Sequence, residues 1–325
     1  PPISTLFPYT TLFRSTSNPV AQQESIDNRS TDNRLIGNIY AELELFKVLT
    51  YKLNLGVDYW YGRRKIKDYV HTMRLGSAEN KFDNVLNEIR DERLTVIMEH
   101  TLNYKQKFGK HHFEGLLGYT VQQDEWHYLR NEGYDQKVDG LWQINLVGVQ
   151  NNMWGSEQYH HMISYLGRVN YNFDDKYMVQ LNIRSDGSSK FGPDYRRGYF
   201  PSGSVGWRLM NEEFMKPYKD VIDDIKLRMS YGRIGDMQAL GNYDYIPDID
   251  NNGPYEGFYA IFGPSGTEII NEGALQSGSV NTLLGWETKT TFNIGLDFTL
   301  LSNRLFGTFE WFDSKSSDLL VNLPQ

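Results

Sequence analysis

The chain has no cysteine. That excludes disulfides and every thiolate-based zinc, iron–sulfur or redox site, and it leaves the cellular compartment open. A basic excess is missing too. Lys and Arg number 33 against 41 Asp and Glu, giving a net charge of −8 and a pI near 5.4, which argues against nucleic acid as a main partner. Long apolar runs are absent. A membrane helix needs roughly 20 consecutive apolar residues, whereas runs here stop at a handful, as in Leu116–Leu117; no helix is expected to cross a bilayer. The mean hydropathy of −0.56 fits a water-soluble protein. A membrane β-barrel, however, shows lipid only every second residue and reads as equally polar. What is present is 22 Tyr, 17 Phe and 7 Trp beside 29 Gly and 11 Pro, a composition of strands and turns.

The sequence opens Pro1-Pro2, with no Met and no signal-peptide pattern. Leu6 to Ser15 read LFPYTTLFRS, similar to a translated sequencing adaptor, so residues 1–15 are expected to be an artefact. Residues 16–33 read as a barrel loop or linker, and 34–325 as the structured part. The chain ends just after a strand-like run at Val321–Gln325; both ends read as cut, leaving an interior piece of a longer protein.

Period-2 alternation dominates from residue 36. Gly37, Ile39, Ala41, Leu43 and Leu45 share one parity, against Asn38, Tyr40, Glu42 and Glu44. Leu49, Tyr51, Leu53, Leu55, Val57, Tyr59 and Tyr61 oppose Lys52, Asn54, Asp58 and Trp60. The same pattern recurs at Leu94–Tyr104 (with His100 as an exception), Phe113–Val121, Tyr165–Phe173, Tyr177–Ile183, Val205–Leu209, Ile225–Tyr231, Phe292–Phe298 and Leu305–Trp311. Successive strand residues point to opposite faces, so each stretch has one oily and one wet side. This makes about ten strands, many near the ~9–11 residues that cross a membrane when tilted.

Tight connections near 46–48, 107–110, 174–176 and 302–304 alternate with long polar ones near 63–91, 124–157, 185–198 and 234–286. Short turns at one end and long loops at the other are the pattern of outer-membrane barrels, whereas compact sandwiches keep most loops short. Tyr59, Tyr61, Tyr104, Tyr171, Phe173, Tyr177, Phe298 and Trp311 stand at strand ends on the oily parity, where an interfacial girdle would sit. The acidic, mixed segment Asn211–Asp223 reads as a short helix.

Chemical motifs are scarce. No P-loop, dinucleotide fingerprint, zincin helix or nucleophile elbow is present. The pairs His111-His112 and His160-His161 would lie in strands, with neighbours facing opposite ways, so neither pair is expected to chelate one ion. Asp248 to Gly253 resembles half of a calcium loop, but the twelfth position is Tyr259 rather than a carboxylate. No catalytic carboxylate pair stands out, and an enzyme acting on glycans is disfavoured. The loop aromatics Trp126, Tyr128, Trp142, Trp154, Tyr255, Phe258 and Tyr259 are candidate ligand contacts, able to stack on sugars or grip a peptide. Packing the loops together is the other role open to them.

Several segments resemble the SusC/RagA family, the TonB-dependent outer-membrane transporters of Bacteroidetes. They are Gly167–Tyr171, Asp175–Tyr177, Arg184–Pro193, Gly198–Ser202, Gly206–Arg208, Leu227–Gly232, Trp286–Thr288, Asn293–Phe298, Asn303–Leu305 and Asp318–Leu320, in family order. Residues 34–123 match mainly in hairpin style. Asp236 stands where the family more often has Asn. Asp186-Gly187-Ser188-Ser189 reads as loop-shaping.

The resemblance implies an all-β, antiparallel transmembrane β-barrel, present in part, with about ten strands of a roughly 22-stranded barrel that holds a plug. It further implies an importer of oligosaccharides or peptides, powered through TonB, with a SusD-like surface lipoprotein as lid and outer-membrane lipid around it. No cofactor, metal or nucleic acid enters this reading. The alternative is a soluble or surface-exposed all-β glycan-binding protein. The two differ in whether Ile39, Leu53, Val169, Leu181, Leu227 and Ile294 meet across a core or all face outward.

Overall fold

The computed structural model describes residues 26–69, 71–75, 78–82, 84–136, 138, 141–250, 259–262, 269–272, 275–277 and 281–320, together with 20 and 23. Within these, side chains at 71–82, 248, 250, 259–262, 269–272, 275 and 277 are left undescribed. The expected artefact at 1–15 lies outside the described residues.

The strands are β1 (Ile26–Phe46), β2 (Leu49–Asp68), β3 (His71–Leu75), β4 (Ala78–Phe82), β5 (Val85–Phe108), β6 (His111–Gln136), β7 (Val147–Phe173), β8 (Tyr177–Ser188), β9 (Arg197–Arg208), β10 (Ile222–Asp236), β11 (Asp248–Asp250), β12 (Tyr259–Phe262), β13 (Ile269–Glu272), β14 (Leu275–Ser277), β15 (Glu287–Leu300) and β16 (Leu305–Ser317). Ten of them form one sheet in the order β1-β2-β5-β6-β7-β8-β9-β10-β15-β16. This is an antiparallel meander with small hairpins inserted in its long connections: β3 with β4, β11 with β14, and β12 with β13. Among the described residues the sheet is unclosed, ending in β1 and β16.

The chain forms two compact units. One comprises the described residues up to Asn38 with Gly56–Val96 and Gln123–Tyr159; the other comprises Ile39–Leu55, Ile97–Gln122 and His160 onward. The second unit holds the short turns. Asp174 and Asp175 both have positive φ (54° and 53°), as the central residues of the type I′ turn closed by the Lys176 N–H on the Phe173 carbonyl (2.9 Å) require, within a three-residue connection between Phe173 and Tyr177; aspartate tolerates that conformation better than most residues. Gly109 meets the same need with φ of 56°.

The strands run further than the apolar alternation implies. Strand β1 begins at Ile26, inside the stretch read as loop or linker, while β6 extends to Gln136 and β7 starts at Val147. Polar pairs carry these extensions. Arg34 grips Asp58 (2.9 and 2.6 Å), Arg64 donates to Asn28 (2.9 Å), and Arg130 donates to Asn87 (2.9 Å). Ladder hydrogen bonds need no greasy face, so periodicity marks only the half of each strand that faces an apolar medium. The segment expected as a short helix is two 3₁₀ turns, Leu209–Asn211 and Glu213–Tyr218.

The second unit contains a small aromatic core that explains its family-like segments. Phe191 is fully buried, its ring centroid 4.8 Å from Trp286, and Phe200 meets the same indole at 5.3 Å. Gly198 and Gly235 leave room for this cluster: a Cβ would lie 2.4 and 2.2 Å, respectively, from Phe200 Cζ. Asp236, the departure from the family pattern, accepts the backbone N–H of Gln238 at 2.9 Å, a bond an Asn oxygen makes equally well. Gly235→Ala in the full-length protein is therefore expected to cost about 1–3 kcal/mol or more through overpacking and to lower the yield of heat-modifiable barrel on gels. Gly206→Ala, whose Cβ comes nearest the flexible end of Lys226 at 3.3 Å and meets Met178 at ordinary contact distance (3.6 Å), is expected to assemble normally.

Candidate functional site

Two faces with opposite chemistry define the site. In the second unit, the register sets Tyr177 opposite Trp207, Trp207 opposite Leu227, Leu227 opposite Leu296, and Leu296 opposite Phe309. One apolar row therefore crosses five strands. One register step away, the other parity aligns Gly206, Arg228, Gly295 and Glu310. Arg228 lies over Gly295 to reach Asp297 (2.8 Å) and Glu310 (3.3 Å).

Among the described residues no second layer covers the apolar row. Ile39 is 70% exposed, Leu181 58%, Val169 39% and Leu227 38%, and Leu53 and Ile294 are half-buried. The six positions are not sealed in a core, as the barrel reading requires and a sandwich core forbids. Each face has its own shallow concavity. That on the apolar side, about 450 Å³, is lined by Leu102, Phe113, Leu117, Val169, Leu181 and Ile183 among others. That on the polar side, about 590 Å³, is lined by His112, Glu114, Asn170, Gln180, Lys226 and Arg228 among others.

At the short-turn end the apolar face carries an aromatic belt in two groups. Tyr104 meets Phe113 (5.9 Å), His111 meets Phe173 (4.9 Å), and Phe173, Tyr177 and Trp207 stack at 6.4 and 6.5 Å. One carboxylate pins the belt from outside the strands. Glu212 accepts from the Tyr177 hydroxyl at 2.6 Å and the Trp207 indole at 3.2 Å, with Lys176 at 3.3 Å. Such amphipathic rings, apolar at the face and hydrogen-bonded at the tip, suit a lipid–water boundary. His100, the exception on the oily parity, is satisfied by the Tyr51 hydroxyl at 2.7 Å.

The histidine pairs point apart as expected. His111 bonds the Tyr171 hydroxyl (2.8 Å) while His112 lines the polar concavity; His160 is buried against Ser188 (3.0 Å) while His161 is exposed. Asp186 is held by Arg184 at 2.7 Å, and Ser188 Oγ accepts from Lys190 N at 3.2 Å. The run expected to shape a loop instead ends a strand: Asp186, Gly187 and Ser188 are the last residues of β8, laddered to β7 through Ser164, Ile163 and Met162, and only Ser189 lies beyond it; its Asp binds Arg184 rather than the His160–Ser188 pair. No group of metal-ligating side chains occurs among the described residues. Of the calcium-like run, Asp248–Asp250 pairs as β11 with β14, and 251–253 lie outside the described residues.

The candidate loop aromatics separate into groups. Trp126, Tyr128 and Trp154 are contiguous in the first unit: Trp126 to Tyr128 is 5.9 Å, and Tyr128 to Trp154 is 5.4 Å edge-on. Trp142 is buried, with the Arg29 guanidinium 4.2 Å over its ring and Lys65 donating to its carbonyl. Tyr255 and Phe258 lie outside the described residues, and Tyr259 is described only in its backbone, in β12. Sequence reasoning missed two members of the first group. Arg93 lies 5.1 Å from the Trp60 ring and 5.9 Å from Trp126. The available signal was Trp60 itself, a large aromatic on the wet parity between Asp58 and Gly62.

An unclosed antiparallel meander with an oily row on one face, a polar row on the other and aromatic rings at its turns has the build of a membrane β-barrel wall. Residues 3–325 match the family described as TonB dependent receptor-like, beta-barrel, and the chain belongs to that family. It is 30% identical to TonB-dependent receptor P3 of Formosa agariphila, covering 94% of this chain and 29% of that protein. It is 26% identical to TonB-dependent receptor SusC of Bacteroides thetaiotaomicron, covering 97% and 30% respectively. The RagAB peptide transporter shares the fold at a TM-score of 0.79 with 22% identity, over 94% of this chain and 32% of that one. The chain thus spans about 30% of the length of these curated relatives, which are receptors and transporters rather than enzymes.

The Glu212 carboxyl is held below its usual range by hydrogen bonds from Tyr177 and Trp207, helped by Lys176. A carboxyl so depressed contributes stability that is complete above its ordinary pKa and is lost as pH falls through the folded value. Acidification of the full-length protein through the carboxylate range is expected to shift Trp207 fluorescence as the clamp releases. Glu212→Gln, which cannot titrate, should flatten that transition.

Proposed function

We propose that this chain is part of the wall of an outer-membrane active transporter that imports oligosaccharides or peptides through TonB. The outward exposure of the apolar row carries the reading, because only a lipid surround makes that exposure favourable in a sheet whose other face is polar. In the complete protein, closure would satisfy the ladder bonds of β1 and β16 inside the membrane. A plug would fill the polar bore, a SusD-like surface lipoprotein would cap the long-loop end, and TonB would supply energy from the inner membrane. SusC among the relatives and RagAB among the fold neighbours support that assembly. Trp126, Tyr128 and Trp154 are proposed to face the ligand, while Trp142 packs the base of its loop.

The lipid-facing assignment is tested by charge placement. Leu181→Arg in the full-length protein is expected to cost about 2–4 kcal/mol near the bilayer midplane and to reduce assembled barrel in outer-membrane fractions. Gln180→Arg, one residue away on the polar face, is expected to assemble. Equal tolerance of both would remove the lipid-facing reading. Uptake of labelled oligosaccharide or peptide by the native host should stop when TonB is deleted.

A further inference from the structure

The polar parity of the first unit carries an aromatic–arginine stripe across four neighbouring strands: Trp60 on β2, Arg93 on β5, Trp126 and Tyr128 on β6, and Trp154 on β7. At ordinary strand spacing this row is roughly 14 Å long. Its geometry is fixed by two devices. Trp60 lies over Gly62, where a Cβ would stand 2.7 Å from the indole, so the ring lies along the strand rather than standing off it. Asp91 then holds two members at once: its Oδ1 accepts the Trp126 indole N–H at 2.7 Å, and both its oxygens accept from Arg93 at 3.3 and 3.1 Å. Arg93 remains 60% exposed, so its guanidinium plane stays open to a ligand although its charge is neutralised.

Resting on the importer reading above, we propose that Trp60, Arg93, Trp126 and Trp154 form a stacking subsite for an uncharged, hydroxyl-rich sugar chain, with Asp91 as its specificity-determining residue. Flat aromatic faces pack against the C–H faces of sugar rings, and Arg93 and Asp91 offer donors and acceptors to hydroxyls at the rim. The neighbouring cations are also engaged: Arg34 pairs with Asp58 and Arg130 with Glu132, while the Thr95 hydroxyl donates to Asp124. Neither arginine is therefore left to draw an acidic ligand. A peptide is disfavoured because adding a strand needs a free sheet edge, and β2, β5, β6 and β7 each have partners on both sides. Acidic sugars are excluded by Asp91, which occupies the cation that would bind them and adds its own repulsion.

The test uses the full-length transporter in detergent. It is titrated with neutral linear hexose oligosaccharides, the same series carrying uronate or sulfate groups, and capped neutral peptides. Trp126→Ala and Trp60→Ala are expected to weaken neutral oligosaccharide binding by about tenfold or more, as truncating an aromatic anchor does, with heat-modifiable mobility unchanged. Asp91→Asn keeps an oxygen for the Trp126 N–H but frees Arg93, so it should gain binding to the acidic series by about tenfold. That gain cannot arise from misfolding. Wild-type affinity in the Trp variants, no gain in Asp91→Asn, or binding of peptides alone would overturn the subsite. If TonB-dependent uptake of oligosaccharide persists in those cases, only the subsite has failed; if no uptake depends on TonB, the importer reading fails instead.

Discussion

The antiparallel ladder fixes which side chains share a face, and almost every other property of the chain follows from that register. Because each residue of an interior strand has one partner on either side, Leu227 is obliged to sit between Trp207 and Leu296, and Arg228 between Gly206 and Gly295. A slip of one residue would exchange the two faces over the whole sheet. The backbone hydrogen bonds make this arrangement possible in lipid, where no water is available to replace them. The outer row thus needs no packing partner within the protein.

Different forces act away from that row. Toward the long connections, strands continue on polar cross-strand pairs such as Arg34–Asp58, and toward the turns, on the Glu212 clamp around Tyr177 and Trp207. The second unit's small core of Phe191, Phe200 and Trp286 closes a loop base with two glycines giving way to rings. Local clusters, rather than a single interior, order the parts that meet water. Such clusters are where recognition belongs, since loops and strand ends can vary without disturbing the ladder.

The fold was legible from positions such as Tyr177, Val179, Leu181 and Ile183, because a half-lipid, half-water environment writes itself as strict alternation. The turn at Asp174-Asp175 was legible for the same local reason: its backbone demands residues that accept positive φ. Strand ends were not. Ile26–Asn33 and Gln123–Gln136 lie in strands that carry no clean oily parity, so nothing in their composition separates them from loops. The aromatic group proposed to face the ligand was only half visible. Trp126, Tyr128 and Trp154 stood out as aromatics in polar surroundings, whereas Trp60 and Arg93 were absorbed into the alternation of their own strands.

The sequence alone determined the period, the turns, the absence of thiol chemistry, and the family resemblance, all properties carried by composition or by near neighbours in the chain. Only the tertiary structure decided that the oily parity stays uncovered, that Trp142 is packed beneath Arg29 while Trp154 is open, and that Asp91 joins Trp126 to Arg93. Those facts depend on which strands lie side by side. Pairing between residues 35 positions apart, as in Asp91 and Trp126, is set by the register of whole strands and leaves no mark on the residues nearby.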